Sequence, residues 1–539
     1  MRRCALLLAF IAVAAPCAMA VPSAHEGSRA AATQPNAPAP LQVGRSRQVF
    51  VDRTFLAAAS GVELRVHPPR KTGEATIRPE HAWEKGIGPY SCVLEIDGRY
   101  HMWYHAMSAE NWNADALVGA ICYARSTDGI HWEKPWLGIT EYQGSRDNNI
   151  VLGFGAGGVN IWQEGMMVFV DPTAPADERF RLVMNLKHVA PGVHVFSSPD
   201  GLHWRLTHRS LITARPQAKG HHLDTQNVLF WDAARGRYVA YVRYNSNLPG
   251  SQGRSIARTE SPWLGGFPVV QDMQVVLGPD AQDLMHGETN AVDYYSSGAL
   301  RYPWAADAYY MFPVAYYHYL RGVHREFGDE VPTNAGPLHT QFAASRDGIH
   351  WERFDRRPFV DLGLRGEFDC YAARMIHGLV PATDGRHMYM YYLGSDWLHG
   401  WDRDDRNKRL LTGAGLAPPN NTTIISRLVL RRDGFVSVRG AYTGGEFITP
   451  PLTFEGDRLV VNVDTSATGT LRVELQDATG AAIPGYSLDE CDLVHTANEI
   501  NRVITWQGRS SLGDLSGKVI RIRFSIRDAD LYAFQFMSD

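Results

Sequence analysis

Apolar and aromatic residues gather in short runs along this chain, alternating with polar neighbours and separated by turn-forming residues. Arg99-Tyr-His-Met-Trp-Tyr104, Phe180-Arg-Leu-Val-Met-Asn185, Arg237-Tyr-Val-Ala-Tyr-Val242, Tyr309-Tyr-Met-Phe-Pro313 and Arg386-His-Met-Tyr-Met-Tyr-Tyr-Leu393 are such runs. Their length and their β-branched and aromatic content predict strands, and helical periodicity is scarce throughout. The expected class is all-β.

One pattern recurs beside these strands. Ser126-Thr-Asp-Gly-Ile-His-Trp132, Ser198-Pro-Asp-Gly-Leu-His-Trp204 and Ser345-Arg-Asp-Gly-Ile-His-Trp351 share the consensus S-x-D-G-[IL]-H-W. The first two begin 72 residues apart and the next pair 147 apart, about twice that period. A degenerate copy, Ser255-Ile-Ala-Arg-Thr-Glu-Ser-Pro-Trp263, fills the gap. Asp-Gly is a hairpin signal: the Asp side chain bonds its own turn and the Gly takes positive φ. Asp128, Asp200 and Asp347 therefore read as turn pins, not as catalytic acids. Five units of ~70 residues, each of four short strands, predict a five-bladed β-propeller. Val49-Phe-Val51 is the expected strand that closes the ring.

Arg458-Leu-Val-Val-Asn-Val463, Thr470-Leu-Arg-Val-Glu-Leu475, Val519-Ile-Arg-Ile-Arg-Phe-Ser525 and Leu531-Tyr-Ala-Phe-Gln-Phe536 alternate apolar and polar and predict a C-terminal β-sandwich. At the other end, Arg2-Arg3, an apolar run from Ala5 to Ala15 and Ala18-Met-Ala20 have the form of a secretory signal cleaved after Ala20. The expected division is 1–20 signal, 21–40 Ala/Pro-rich linker, 41–430 propeller and 431–539 β-sandwich. The apolar run is too short to span a bilayer, so the expected destination is the periplasm or the exterior.

Charge is nearly balanced, with 53 basic and 57 acidic residues, so nucleic acid is not an implied partner. Cys92, Cys122, Cys370 and Cys491 follow the signal with no zinc-ligand spacing. They are expected to be mostly buried free thiols. No nucleotide-binding, zinc-peptidase or serine-hydrolase motif is present.

In a propeller the residues just before each inner strand form the funnel mouth. An acid recurs near that station: Glu84, Glu164, Asp224, Glu288, and Glu367 with Asp369. Crowded carboxylates split their pKa values, which supplies the acid and the base or nucleophile that glycosidic cleavage needs. Glu84, Asp224 and Glu367 are the expected catalytic set, each beside an aromatic, a Gly or an amide. Gln226 and Asn227 offer amide contacts to hydroxyl groups. Trp83, Trp112, Trp397 and Trp401 offer faces for a sugar ring. Trp83, Gln226, Asn227, Glu288, Asp369 and Trp397 are the expected substrate contacts. His221, His222 and Tyr316-Tyr-His-Tyr319 are further polar candidates, but no metal site is read from them.

Taken together, the repeats, Trp83-Glu84, Tyr100-His-Met-Trp-Tyr104, Asp224-Thr-Gln-Asn-Val-Leu-Phe-Trp231 and Gly366-Glu-Phe-Asp369 give a chain that resembles the five-bladed-propeller glycoside hydrolases of families 32, 43, 68 and 117 and the phosphorylases of family 130. It is most similar to a branch described as family-32-like at its N-terminal region. Arg432-Asp-Gly-Phe-Val-Ser437 and Leu531–Phe536 are similar to that branch's sandwich. The resemblance implies a secreted glycoside hydrolase acting on a carbohydrate, with no required cofactor and with a Ca²⁺ ion admitted in the channel. Gly86-Ile-Gly-Pro-Tyr-Ser91 lacks the family-32 nucleophile motif, Val170-Asp171-Pro172 only partly echoes its R-D-P motif, and its E-C acid motif has no match. Family-32 residues therefore do not carry over one by one. Two rival readings are a non-catalytic carbohydrate-binding propeller and a phosphorylase, the latter using Arg243, Arg374 and His377 for phosphate.

Overall fold

The computed structural model describes residues 39–107, 119–153, 163–186, 192–215, 223–245, 253–283, 289–319, 336–399 and 423–538. The described chain is all-β, with strands joined by turns and single 3₁₀ turns.

Three antiparallel four-stranded sheets follow one another in sequence order: Gly86–Ile96 to Ile150–Gly153, Gln163–Val170 to Arg205–Ile212, and Val228–Asp232 to Gln274–Leu277. Each is a meander, so each strand pairs with its neighbour in the chain. These are the first three blades of a propeller arrangement.

The fourth unit corrects the expected count of five. Thr289–Tyr294, Val314–Tyr319 and Leu338–Thr340 form a meander that joins Ala372–Met375, His387–Ser395 and Thr423–Arg431 in one eight-stranded sheet. The join is a parallel pairing at Leu338 and Ala372. Two repeat units that the sequence spacing separates are thus one hydrogen-bonded sheet, and among the described residues the arrangement has four blades. Spacing counts repeats, whereas hydrogen bonds between the edges of two repeats decide whether they remain separate sheets.

The closing strand also differs from expectation. Arg70–Lys71 pairs with Thr423–Arg431 through Arg70↔Val429 and Lys71↔Leu428 and is the outermost strand of the fourth blade. Gln48–Val49 instead pairs with Phe534 and Ala533. The reason is burial. Val49, Phe50 and Val51 are fully apolar and buried, and Phe50 packs against Phe447 and Phe534. An edge strand with one side in water tolerates Arg and Lys.

The C-terminal strands belong to one eleven-stranded hydrogen-bonded network. Its long members, Arg458–Asp477 and Ile520–Met537, pair along most of their length, with a register shift between Thr465 and Thr470. Leu41–Gly44, Gln48–Val49, Ala58–Ser60 and Val62–Val66 belong to this network too, so part of the segment expected in the propeller pairs here. Asp433 ties these parts together. Its carboxylate accepts from Arg47 Nε at 2.5 Å, Tyr302 Oη at 2.7 Å and Asn462 Nδ2 at 3.1 Å, all out of water.

The three heptapeptides are turn pins, and they also link blades. In the first, Asp128 Oδ1 accepts the Ile130 and His131 amides, Ser126 Oγ accepts the Gly129 amide, and His131 Nδ1 lies 2.7 Å from Asp128 Oδ2. The same set recurs at 198–203 and 345–350. The turn glycine then offers its carbonyl to an aromatic residue of another unit. Gly129 accepts from Tyr391 Oη at 2.6 Å, Gly201 from Trp103 Nε1 at 2.7 Å and Gly348 from Tyr241 Oη at 2.7 Å. In each case the donor lies on the second strand of its own unit.

Glycine is required at these turns for two reasons. Gly201 has φ 76°, and a Cβ there would lie 2.8 Å from Trp103 Cζ2; at Gly348, φ is 70° and a Cβ would lie 2.6 Å from Tyr241 Oη. Gly348→Ala is therefore expected to destabilise the protein by about 2–3 kcal/mol, combining left-handed strain with overpacking. Urea unfolding followed by tryptophan fluorescence checks this, and an unchanged midpoint contradicts it.

Candidate active site

The first strands of the blades converge around residues 224–227. Gln226 Nε2 donates to Ser91 O in the first blade and Met166 O in the second, both at 2.9 Å. Thr225 Oγ1 donates to Tyr295 O in the fourth at 2.8 Å. Asn227 Nδ2 donates to Leu223 O and Thr225 O, and its Oδ1 accepts the Arg243 amide. Gln226 and Asn227 are buried, and their amides are engaged by main chain. The expectation that they face a substrate gives way to a role in joining the blades at their inner ends.

Asp224 stands at the edge of this junction with its side chain 25% exposed. Its Oδ1 accepts from Arg243 Nη1, and its carbonyl accepts from Tyr90 Oη at 3.2 Å. Arg243 is buried at the end of the apolar strand Arg237–Asn245, where its Nη2 donates to Tyr295 O at 2.9 Å. Burial pushes the guanidinium's pKa down, but Asp224 and nearby tyrosines outweigh it and raise it above the usual value.

Tyr295 is the centre of a basic cluster drawn from three strands. The guanidinium groups of Arg243, Arg254 and Arg374 lie 4.2, 5.3 and 5.8 Å from its ring centroid. Arg254 Nη1 donates to Asp293 Oδ2 at 2.7 Å, and His318 Nε2 lies 2.8 Å from the same oxygen. Tyr316 and His399 complete the group: the His399 ring packs against both tyrosines and its Nδ1 accepts from Arg374 Nη2 at 3.1 Å. Burial, then Arg374, Arg254 and Arg243, hold the His399 imidazole well below its usual range, so it is neutral and able to accept.

Burial pushes the Asp293 carboxyl up, but His318 and Arg254 outweigh it and hold its pKa at about 2. That lies below the ordinary aspartate value of about 3.9. The stability Asp293 contributes is therefore fully present above about pH 4 and is lost as the pH falls through about 2. Asp293→Asn is expected to flatten the acid limb of the stability profile in that window. Melting temperatures taken from pH 5 to pH 2 check it, and parallel limbs for the two proteins contradict it.

The other expected catalytic acids have different surroundings. Glu84 is buried, and its carboxylate accepts from Tyr104 Oη at 2.5 Å, the Glu80 and His81 amides at 2.8 and 3.2 Å, and Lys134 Nζ at 2.9 Å. Glu367 is exposed and its Oε2 caps the Leu364 amide at 2.7 Å. Neither has the other or Asp224 among its partners. Each also closes a turn by accepting one or two amides three or four residues upstream, and Glu84 is further held by the distant Tyr104 and Lys134.

Of the expected substrate contacts, Asp369 is buried and pairs with Lys71 Nζ at 2.7 Å and Tyr392 Oη at 2.8 Å, which secures the closing strand. Trp83 is buried against His81, with its Nε1 on Asn149 Oδ1 at 3.1 Å. Trp397 is half-buried in a turn against Ser395. Glu164 lies opposite Asn185 in the strand Gln163–Val170. Glu288, Trp112, Trp401, His221 and His222 lie outside the described residues. Among the described residues no group of three His, Cys, Asp or Glu is placed to hold a metal ion.

Sequence reasoning missed Arg254, Asp293, Tyr295 and His399. The available signal was a charged residue inside an otherwise apolar run, because an ion buried in a strand needs a partner or a ligand. His377, grouped in the sequence with Arg243 and Arg374, stands elsewhere, its Nε2 3.1 Å from Ala299 O and its imidazole lowered by burial to about 4.

No protein-family model matches the chain, and no curated protein matches it. Among solved structures, a thermostable family-43 glycoside hydrolase is similar at 13% identity and TM-score 0.41, over 66% of this chain and 93% of its own. A family-43 arabinoxylan arabinofuranohydrolase from Bacillus subtilis, in complex with cellotetraose, is similar at 14% identity and TM-score 0.37, over 85% and 96%. An N-acetylgalactosamine deacetylase from F. plautii is similar at 15% identity and TM-score 0.39, over 69% and 96%. Likeness at this level carries no functional argument.

Proposed function

We propose that the chain is a secreted glycoside hydrolase whose chemistry is centred on Asp224. The observation that carries this reading is Asp224 itself. It is a partly exposed carboxylate at the convergence of the inner strands, held by a buried arginine and bordered by Tyr90 and Tyr295. An acid at such a position, with a second carboxyl across the bound sugar, performs general acid–base catalysis on a glycosidic bond. Retained from the sequence reading are a carbohydrate substrate and export by the segment ending at Ala20.

Glu84 favours a second reading, a non-catalytic carbohydrate-binding propeller, because its carboxylate is committed to four donors. A screen of chromogenic glycosides and polysaccharides separates the two. Hydrolysis by the wild type and its loss in Asp224→Asn support the enzyme. Equal activity in both proteins removes the site assignment, and binding without turnover in the wild type establishes the second reading.

A further inference from the structure

Among the described residues, the basic cluster around Tyr295 has more positive than negative groups. Arg243 faces Asp224 and Arg254 faces Asp293. Arg374 faces neither: its one hydrogen-bond partner among the described residues is the neutral His399 ring, and its Nε is buried with no acceptor. Three guanidinium groups thus meet two carboxylates among the described residues around one aromatic ring. Arg374 is half-buried, and a guanidinium partly withdrawn from water without a carboxylate partner is a ready site for an anion. The neutral imidazole beside it accepts a hydrogen bond but brings no negative charge.

Resting on the carbohydrate reading above, we propose that this cluster is a subsite for the carboxylate of an acidic sugar, a uronic acid residue of the substrate. Among the described residues a single positive charge is left over, which a monoanion neutralises. The planar guanidinium fork matches a carboxylate with two parallel hydrogen bonds. Tyr295, partly exposed, lies in the same cluster as an aromatic surface of the kind that packs against a sugar ring, with the fully buried Tyr316 behind it. An occupant with an apolar ring face and one planar carboxylate satisfies these features together. Inorganic phosphate would bring no ring face.

The test uses the full chain and matched ligands. Short oligogalacturonates, alginate oligomers and glucuronate-containing oligosaccharides are each compared with their carboxyl-reduced counterparts by isothermal titration. The expected result is that at least one acidic oligomer binds about 10- to 100-fold more tightly than its reduced form, the range for a charge-assisted hydrogen-bonded contact. Arg374→Gln is expected to abolish that difference, and Arg374→Lys to restore part of it. Both variants are checked for folding by circular dichroism, and Arg254→Gln supplies an independent second probe of the cluster. Equal binding of acidic and reduced forms, no binding of either, or a preference that survives both Arg374→Gln and Arg254→Gln overturns the proposal. So does phosphate that alone competes for the site and is consumed during cleavage, which assigns the cluster to phosphorolysis. Selectivity for the acidic form in a protein that hydrolyses nothing leaves the subsite standing and removes only the hydrolase reading.

Discussion

Asp224→Asn is expected to lower kcat by roughly 10²–10⁴-fold on whichever glycoside the wild type cleaves, the usual contribution of a positioned acid or base. The substitution removes charge and titration but little volume, and the Asn side-chain oxygen can still accept from Arg243. The neighbouring Tyr90 and Tyr295 are left in place, so KM is expected to change far less than kcat. That split matters because Asp224 is also half of an ion pair with a buried arginine. A purely structural role would lower the amount of folded protein and leave the kcat of the folded fraction intact. Active-site titration or a stability-corrected assay tells the two apart, and an unchanged kcat refutes a catalytic Asp224.

Glu84→Gln is expected to do the opposite. It removes one member of a buried ion pair, because the side chain of Lys134 is only 7% exposed and that of Glu84 is closed off from water. Breaking such a pair from one side costs about 3–5 kcal/mol, since the remaining ion is left buried. Here the lower end applies: Lys134 also donates to Arg78 O at 2.7 Å and lies 3.3 Å from Glu80. A loss of about 3 kcal/mol in urea unfolding, with kcat of the folded enzyme changed less than threefold, is the expected outcome. A stable but inactive Glu84→Gln protein would return Glu84 to the catalytic set.

These two acids show how far the sequence reading reaches. Glu84 and Asp224 occupy the same kind of station before an inner strand, each beside an aromatic or an amide. Nothing local separates them. The difference comes from Lys134 and Tyr104, which lie 50 and 20 residues from Glu84 and fold back onto it. Gln226 and Asn227 looked like sugar contacts because amides serve hydroxyl groups well. They serve main-chain carbonyls equally well, and three blades meet where they stand.

The heptapeptides were legible because every position acts locally: the Asp, Ser and Gly of each copy satisfy one another within three residues. Their second role, carrying a glycine carbonyl to Tyr391, Trp103 or Tyr241, was not legible, since those donors stand 262, 98 and 107 residues away.

By itself, then, the sequence determined the all-β class, the repeated strands and the turn chemistry, all of which follow from period-two alternation and from contacts spanning a few residues. Tertiary structure alone decided three things. It merged two repeat units into one eight-stranded sheet through Leu338 and Ala372 and closed the ring with Arg70–Lys71. It sent Val49-Phe-Val51 to the C-terminal core. It brought Arg243, Arg254 and Arg374 from three strands to one tyrosine. Each depends on which distant surfaces find apolar or charged complements, and burial and charge pairing act through space without regard to sequence separation.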